Sequence, residues 1–531
     1  MEPRLPASTA RLALAALVLC TTLSTACEDQ AAVPFGVDTV GSSDGVSASG
    51  DVVVLTRADI VKLAGVRHIE GDLEIRMTTA VALPDLETIG GSLRLAGTAA
   101  TEVTPDVSLP ALERIGLDLA VAYTKDSGRL QLPSLTEVGR HVALTHGTWD
   151  VDLGALKTIG GDLRVNDASL VGIDLGKLAS VGGAMRILRF GLARGTVVSV
   201  ALPSLREVTG DVELAQGADL DFSAPLLATI GRDLDVSGLA VSLSLPGLTR
   251  LGDDLLVDDV TMTALDLSHL ATVEGEIAID GARGDGLADL ELGALHTVVG
   301  SLTLRDVANL GRASLPALVD LGGALDLEQV PSLARLELAA LTHTNGDLIV
   351  RQAGNVLVLA QVLASVGGDL RIEDCGRMQA NLPALTSIVG SLSIRGGTLV
   401  DPGVPKLATV GRDLVLQDLS VELDTLTFAA LTSVSGTLRA AQTIYLDRLR
   451  LPLVTQVGSV QGGFPIGDLD VRENFALIEL GLPLLASVAR DVAVRDNPRL
   501  PVADVTAALA GITVGGSTTV CGNDGGDACP P

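Results

Sequence analysis

Aromatic residues are nearly missing from this chain. Of 531 residues only six are Phe, two Tyr and one Trp, about 2% against a hydrophobic content of 47%. A globular core uses large rings to fill irregular volume. A chain that keeps Leu, Val and Ile without them must enclose a narrow, regular interior. Lysine is also scarce, confined to Lys62, Lys125, Lys157, Lys177 and Lys406, and the net charge is −28. Phosphate binding needs a dense basic surface, so nucleic acid is excluded as a partner. The five cysteines and six histidines show no zinc spacing. His68, His141, His146, His269, His296 and His343 are scattered, and only His141 and His146, near Trp149, form a local group. No nucleophile elbow, phosphate-binding loop or zincin motif occurs. No catalytic residue and no cofactor is assigned, and the chain is read as a non-enzyme.

What the chain does contain is one repeated phrase. Leu382 to Ile394 reads LPALTSIVGSLSI, and the same pattern returns as LPDLETIGGSLRL from Leu83, LPGLTRLGDDLLV from Leu245 and LPALVDLGGALDL from Leu315. Taking as marker the residue after the glycine, the phrase recurs at 72, 92, 118, 141, 162, 184, 211, 233, 254, 276, 301, 324, 347, 369, 391, 413, 437, 468, 491 and 517. That is twenty units whose nineteen steps, spanning residues 72 to 517, average 23.4 residues. A fixed short period overrides a domain count based on length.

Each marker is followed by apolar-x-apolar, as in Leu163-Arg164-Val165 or Leu370-Arg371-Ile372, which predicts a strand. A variable polar stretch comes next. The Leu-x-x-Leu-x-x-Ile/Val run, often introduced by Pro, is spaced too tightly for a helical stripe and predicts bends that each drop one side chain inward. The unit is too short to hold a helix, a strand and two turns. The expected fold is an all-β solenoid, a right-handed parallel β-helix of about twenty coils over residues 51–520. At ~4.8 Å per strand it would be a rod roughly 95 Å long. Short capping helices are expected at about 57–64 and at 502–509, with a last strand at 517–520. One coil cannot cover its own leucines, so the array is stable only collectively.

The amino terminus predicts export. Arg4 and Arg11 precede the apolar run Leu12 to Cys20, too short to span a bilayer, and residues 1–26 match a signal peptide. Leu23-Ser24-Thr25-Ala26-Cys27 resembles a lipobox, which would leave Cys27 lipidated and the protein anchored to a membrane; the alternative is an ordinary secretory signal cut near Ala26. The place predicted is the bacterial cell envelope, at the outer membrane or cell surface. Residues 27–50, acidic and rich in Gly and Ser, read as a flexible tether. Export permits disulfides, and Cys521 and Cys529 in the 521–531 tail are expected to pair, leaving Cys375 without a mate.

The unit resembles the receptor L-domain, the leucine-rich β-helical module of insulin- and epidermal-growth-factor-type receptors, with relatives in fungal wall proteins and bacterial lipoproteins. The residues that carry it are Leu63 to Ile75, the run from Leu382, and Leu469 to Asn474 with Val492 to Pro498, where the family's Asn follows the strand. The resemblance covers roughly residues 60–520 and implies binding or adhesion to a protein or polysaccharide. That Asn is absent from most coils. A leucine-rich horseshoe is the structural alternative. A polysaccharide lyase or hydrolase, or a passive spacer, is the functional one.

Candidate sites lie where coils differ. The marker column is acidic in twelve of twenty coils, with Asp211, Asp233, Asp254 and Glu276 in succession. Calcium is one way to bridge such a stack; the other reading is that each carboxylate accepts backbone N–H groups at its own glycine turn. The long steps carry Arg189, Phe190 and Arg194 in one insertion and Phe464 in another. They are expected to form loops that bind a ligand or pack on themselves.

Overall fold

Alternating Leu-x-Leu and Leu-x-Ile segments form strands because every second side chain can then enter one apolar interior. In the computed structural model, which describes residues 36–38, 46–77, 79–96, 106–122, 128–188, 197–215, 219–238 and 240–530, these segments stack in parallel, one per coil. Each coil has three faces. The first is the strand after the marker, as in Leu325–Glu328 and Leu348–Arg351. The third is a two-residue strand just before the glycine, as in Ser365–Val366 and Ser387–Ile388. Twenty-two strands make up the third-face sheet, of which Gly36–Asp38 alone pairs antiparallel, and the rest stack in parallel. The Leu-Pro-x-Leu runs are the expected bends: Leu385 N–H donates to Leu382 O at 3.1 Å, closing a turn before the third face.

The second face differs from the sequence reading. The variable stretch after the first strand is itself a strand in most coils, as in Arg335–Glu337, Val356–Leu359 and Arg448–Arg450. Its short length and uneven polarity gave no clear period. Among the described residues the first-face strand runs on into it in five coils, as in Leu370–Asn381 and Leu392–Asp401.

Register places like on like. Leu325, Leu348, Leu370, Leu392, Leu414, Leu438 and Leu469 stack directly, and so do Ile388, Val410, Val434 and Val457 on the third face. Leu382, Leu385, Ile388, Leu392 and Ile394 are all buried. Of the aromatics among the described residues, Phe222 and Phe428 enter the core, both completely.

The glycine beside the marker is needed for space. A Cβ on Gly390 would lie 2.1 Å from Asp369 Oδ1 and 2.6 Å from Gly368 O. Left-handed backbone is used at the opposite corner, five residues after the marker. There Asp259, Asp306, Gln329, Gln352, Asp374, Asp418, Gln442, Glu473 and Asp496 all have φ between 45° and 57°. Asp tolerates that region best among them, since its short side chain can bond locally.

The array begins before the repeat phrase does. Within the span read as tether (27–50), Val46–Ser49 already pairs with Val66–Ile69; just after it, Val52–Val54 pairs with Leu73–Ile75. Helix α1, Arg57–Lys62, follows; Asp59 accepts hydrogen bonds from the Thr56 N–H and hydroxyl. Helix α2, Val502–Leu509, lies at the other end and buries Val505 against the core. Cys521 and Cys529 are bridged, with Cα atoms 4.9 Å apart.

Candidate binding site at the carboxy-terminal coils

The marker column is a ladder running along the rod. Most of its polar side chains accept the backbone N–H of the marker in the next coil, not one at their own turn; Asp211 makes no such bond. Ser391 N–H donates to Asp369 Oδ1 at 2.7 Å, Thr437 N–H to Asp413 Oδ1 at 2.7 Å, and Ala324 N–H to Ser301 Oγ at 3.1 Å. His141 takes a carboxylate's place, its Nδ1 accepting from Asp162 N–H at 2.9 Å. Asp, Ser, Thr and His interchange here because the ladder needs only a short acceptor.

This accounts for most of the acidic column without a metal. Asp233 Oδ1 accepts from Asp254 N–H at 3.0 Å, and Asp254 Oδ1 from Glu276 N–H at 2.8 Å. Asp211 is paired with Arg186, Nη2 to Oδ2 at 3.1 Å. Of the four residues considered for calcium, the structure brings together Asp233 and Asp254, joined by Asp253, with ligand oxygens within 4.8 Å of one another. Glu276 is outside that group. Asp253 escaped the sequence reading because it precedes the marker.

A second acidic set faces outward on the same coils. Glu213 stands in register with Asp235, and Asp258 with Asp280. Burial, followed by the charges of Glu213, Asp258, Asp233 and Asp211, pushes the Asp235 carboxyl up to about 6. Burial and Asp280 raise Asp258 as well. Farther along, the same face alternates sign: Arg305 Nη2 meets Asp326 Oδ2 at 2.7 Å.

Arg189, Phe190 and Arg194 lie outside the described residues, as does Cys27. Cys375 is buried, and desolvation pushes its thiol up to about 11, so it is chemically quiet.

Phe464 does not pack locally. The insertion forms an antiparallel hairpin, Ser459–Gln461 with Phe464–Ile466, turned by Gly462 and Gly463 at positive φ. Val460 and Phe464 are 69% and 75% exposed.

The corner between the first and second faces carries the larger group. Ile444, Tyr445 and Phe475 are 47%, 68% and 62% exposed. Sequence reading passed over them because they interrupt no coil. Gln442 N–H donates to Arg472 O at 3.1 Å and Thr443 N–H to Asn474 Oδ1 at 3.1 Å, so Ile444 and Phe475 each follow a residue bonded across the two neighbouring coils. An asparagine ladder anchors the corner from inside. The Nδ2 group of Asn474 donates to Asn497 Oδ1, and that of Asn497 to Asn523 Oδ1, each at 3.0 Å, and all three residues are buried. The ladder the resemblance implied is confined to this end. Its third rung, Asn523, lies in the cysteine-bridged tail, where a Gly/Asp-rich sequence concealed it.

Polar groups around the corner are mutually satisfied. Gln442 Nε2 donates to Glu473 Oε2 at 3.0 Å. Arg450 holds Glu479 through two bonds of 2.8 Å, and Arg448 approaches it at 3.4 Å. The Arg450 hydrogen bond keeps the Glu479 carboxyl below its usual range. Beside this pair a cleft of about 440 Å³ opens between α2 and the second face, lined by Leu482, Leu485, Ala507 and Ala510. The chain matches no protein-family model and no curated protein. The corner, the cleft and the hairpin share the coils of residues 437–510, and none of them places a nucleophile beside a base.

Proposed function

We propose that this protein is exported, anchored through a lipid on Cys27 at the bacterial cell envelope, and acts there as a non-catalytic binding scaffold for a protein or polysaccharide. The observation that carries the reading is the exposure of Ile444, Tyr445 and Phe475 in a chain with nine aromatic residues in all. Exposed contiguous apolar surface on a soluble fold marks an interaction site. The signal-like segment and lipobox-like Leu23–Cys27 support the location. The likeness of the repeat to receptor L-domains, and the Asn474–Asn497–Asn523 ladder, support the binding role.

Two measurements test the reading. Cys27→Ser should move the protein from the membrane fraction to the soluble one; an unchanged distribution removes the lipid anchor. Incubated with a panel of polysaccharides, the protein should bind without shortening any chain. Cleavage contradicts the non-catalytic reading and favours a carbohydrate-active β-helix.

A further inference from the structure

We infer that the corner formed by Ile444, Tyr445 and Phe475 is a stacking platform for a neutral saccharide chain; this deepens the scaffold reading above and rests on it. Three observations converge.

The first is backbone conformation. Tyr445 has φ of 68°, in the left-handed region, and it does not belong to the polar column that occupies that region elsewhere. A bulky side chain is unfavourable there, whereas Gly or Asn would be accepted. Such a residue, 68% exposed and outside the core, contributes nothing evident to folding. Backbone outliers held in place by a rigid surround concentrate at functional sites.

Preorganisation is the second. The Thr443 N–H and hydroxyl both donate to Asn474 Oδ1, at 3.1 and 2.7 Å, and Asn474 is fixed in turn by Asn497. Ile444 and Phe475 follow these anchored residues directly. A platform whose ring positions are already set loses little freedom on binding.

Size and charge choose among ligands. Two aromatic side chains of ~150–250 Å² each, partly exposed, offer a few hundred Å², well short of the ~800 Å² per partner of a stable protein interface. That area suits one or two pyranose rings, whose C–H faces stack on aromatic faces. Their hydroxyls would meet the planar amide and carboxylate of Gln442 and Glu473, 3.0 Å apart. Of the nearby cations, Arg448 and Arg450 are held by Glu479 and not offered to a uronate, while Arg499, one coil on, is exposed. The chain's net charge of −28 opposes a polyanion as well.

The test uses the full chain, titrated with neutral and uronate-containing oligosaccharides by calorimetry. Tyr445→Asn and Phe475→Ser are compared with wild type. Asn accepts the left-handed backbone and Phe475 is exposed, so both variants should melt no lower than wild type. The expected result is neutral-glycan binding that persists to ~1 M salt and weakens at least tenfold in each variant. No neutral glycan bound, a preference for uronates, unchanged affinity in the variants, or a protein partner whose binding needs Tyr445 and Phe475 overturns the inference. Chain shortening in the same samples reports separately on the non-catalytic reading, so the two fail on different readouts.

Discussion

Asp235→Asn should stabilise the rod at neutral pH and leave it unchanged in acid. The carboxyl stands on the outer side of the first face, in register with Glu213, and its pKa rises from 3.8 to about 6. A raised pKa means that the folded chain holds this proton more tightly than the unfolded one. The resulting stability is fully present below pH 3.8, declines as pH rises through 6, and is absent above. A difference of about two pKa units corresponds to ~3 kcal/mol. Because the group is only partly buried, solvent screening brings the expected effect to ~1–2 kcal/mol. Asparagine keeps the shape and removes the charge. Urea unfolding followed by far-UV circular dichroism would show a higher midpoint for the variant near pH 8. At about pH 4 the two midpoints should converge. A difference of the same size at both pH values, or a less stable variant at pH 8, would refute the electrostatic reasoning.

Other substitutions test other parts of the architecture. Leu385→Ala empties a fully buried inward position and should cost ~2–5 kcal/mol in denaturant unfolding. Asp254→Ala removes the acceptor of the Glu276 N–H and should cost ~1–3 kcal/mol, measurable as faster amide exchange at Glu276. Asn497→Ala breaks the middle rung of the asparagine ladder. It should destabilise by a similar ~1–3 kcal/mol and speed proteolysis of the carboxy-terminal coils before the rest.

The coil could be read from the repeat because its apolar positions face one interior and recur at a fixed step. The bends and the strand alternation predict Leu382, Leu385, Ile388, Leu392 and Ile394 to face inward, and all are buried. The second face was not legible, since segments such as Arg335–Glu337 hold too few residues to show alternation. The acidic column could be seen but its bonding could not: the partner of Asp369 is Ser391, 22 residues away, and only stacking brings the two together. The left-handed corner falls five residues after the marker, on Asp, Gln, Glu or Gly in every coil from Gly238 on, but that column has meaning only once the coils are aligned. The long step between 437 and 468 marks Phe464 as part of an insertion, and the structure exposes it on a hairpin. Tyr445 and Phe475 went unnoticed because no gap or insertion flags them, and their adjacency depends on the register of two coils 31 residues apart.

The coils build the rod, and the proposed place of recognition is the aromatic corner. Hydrogen exchange on the full chain, with and without a bound neutral oligosaccharide, tests this most directly. The account predicts added protection in peptides covering residues 442–448 and 473–479 and little change elsewhere. Protection confined to the acidic coils around Asp235, or to the insertion at residues 189–194, would contradict it.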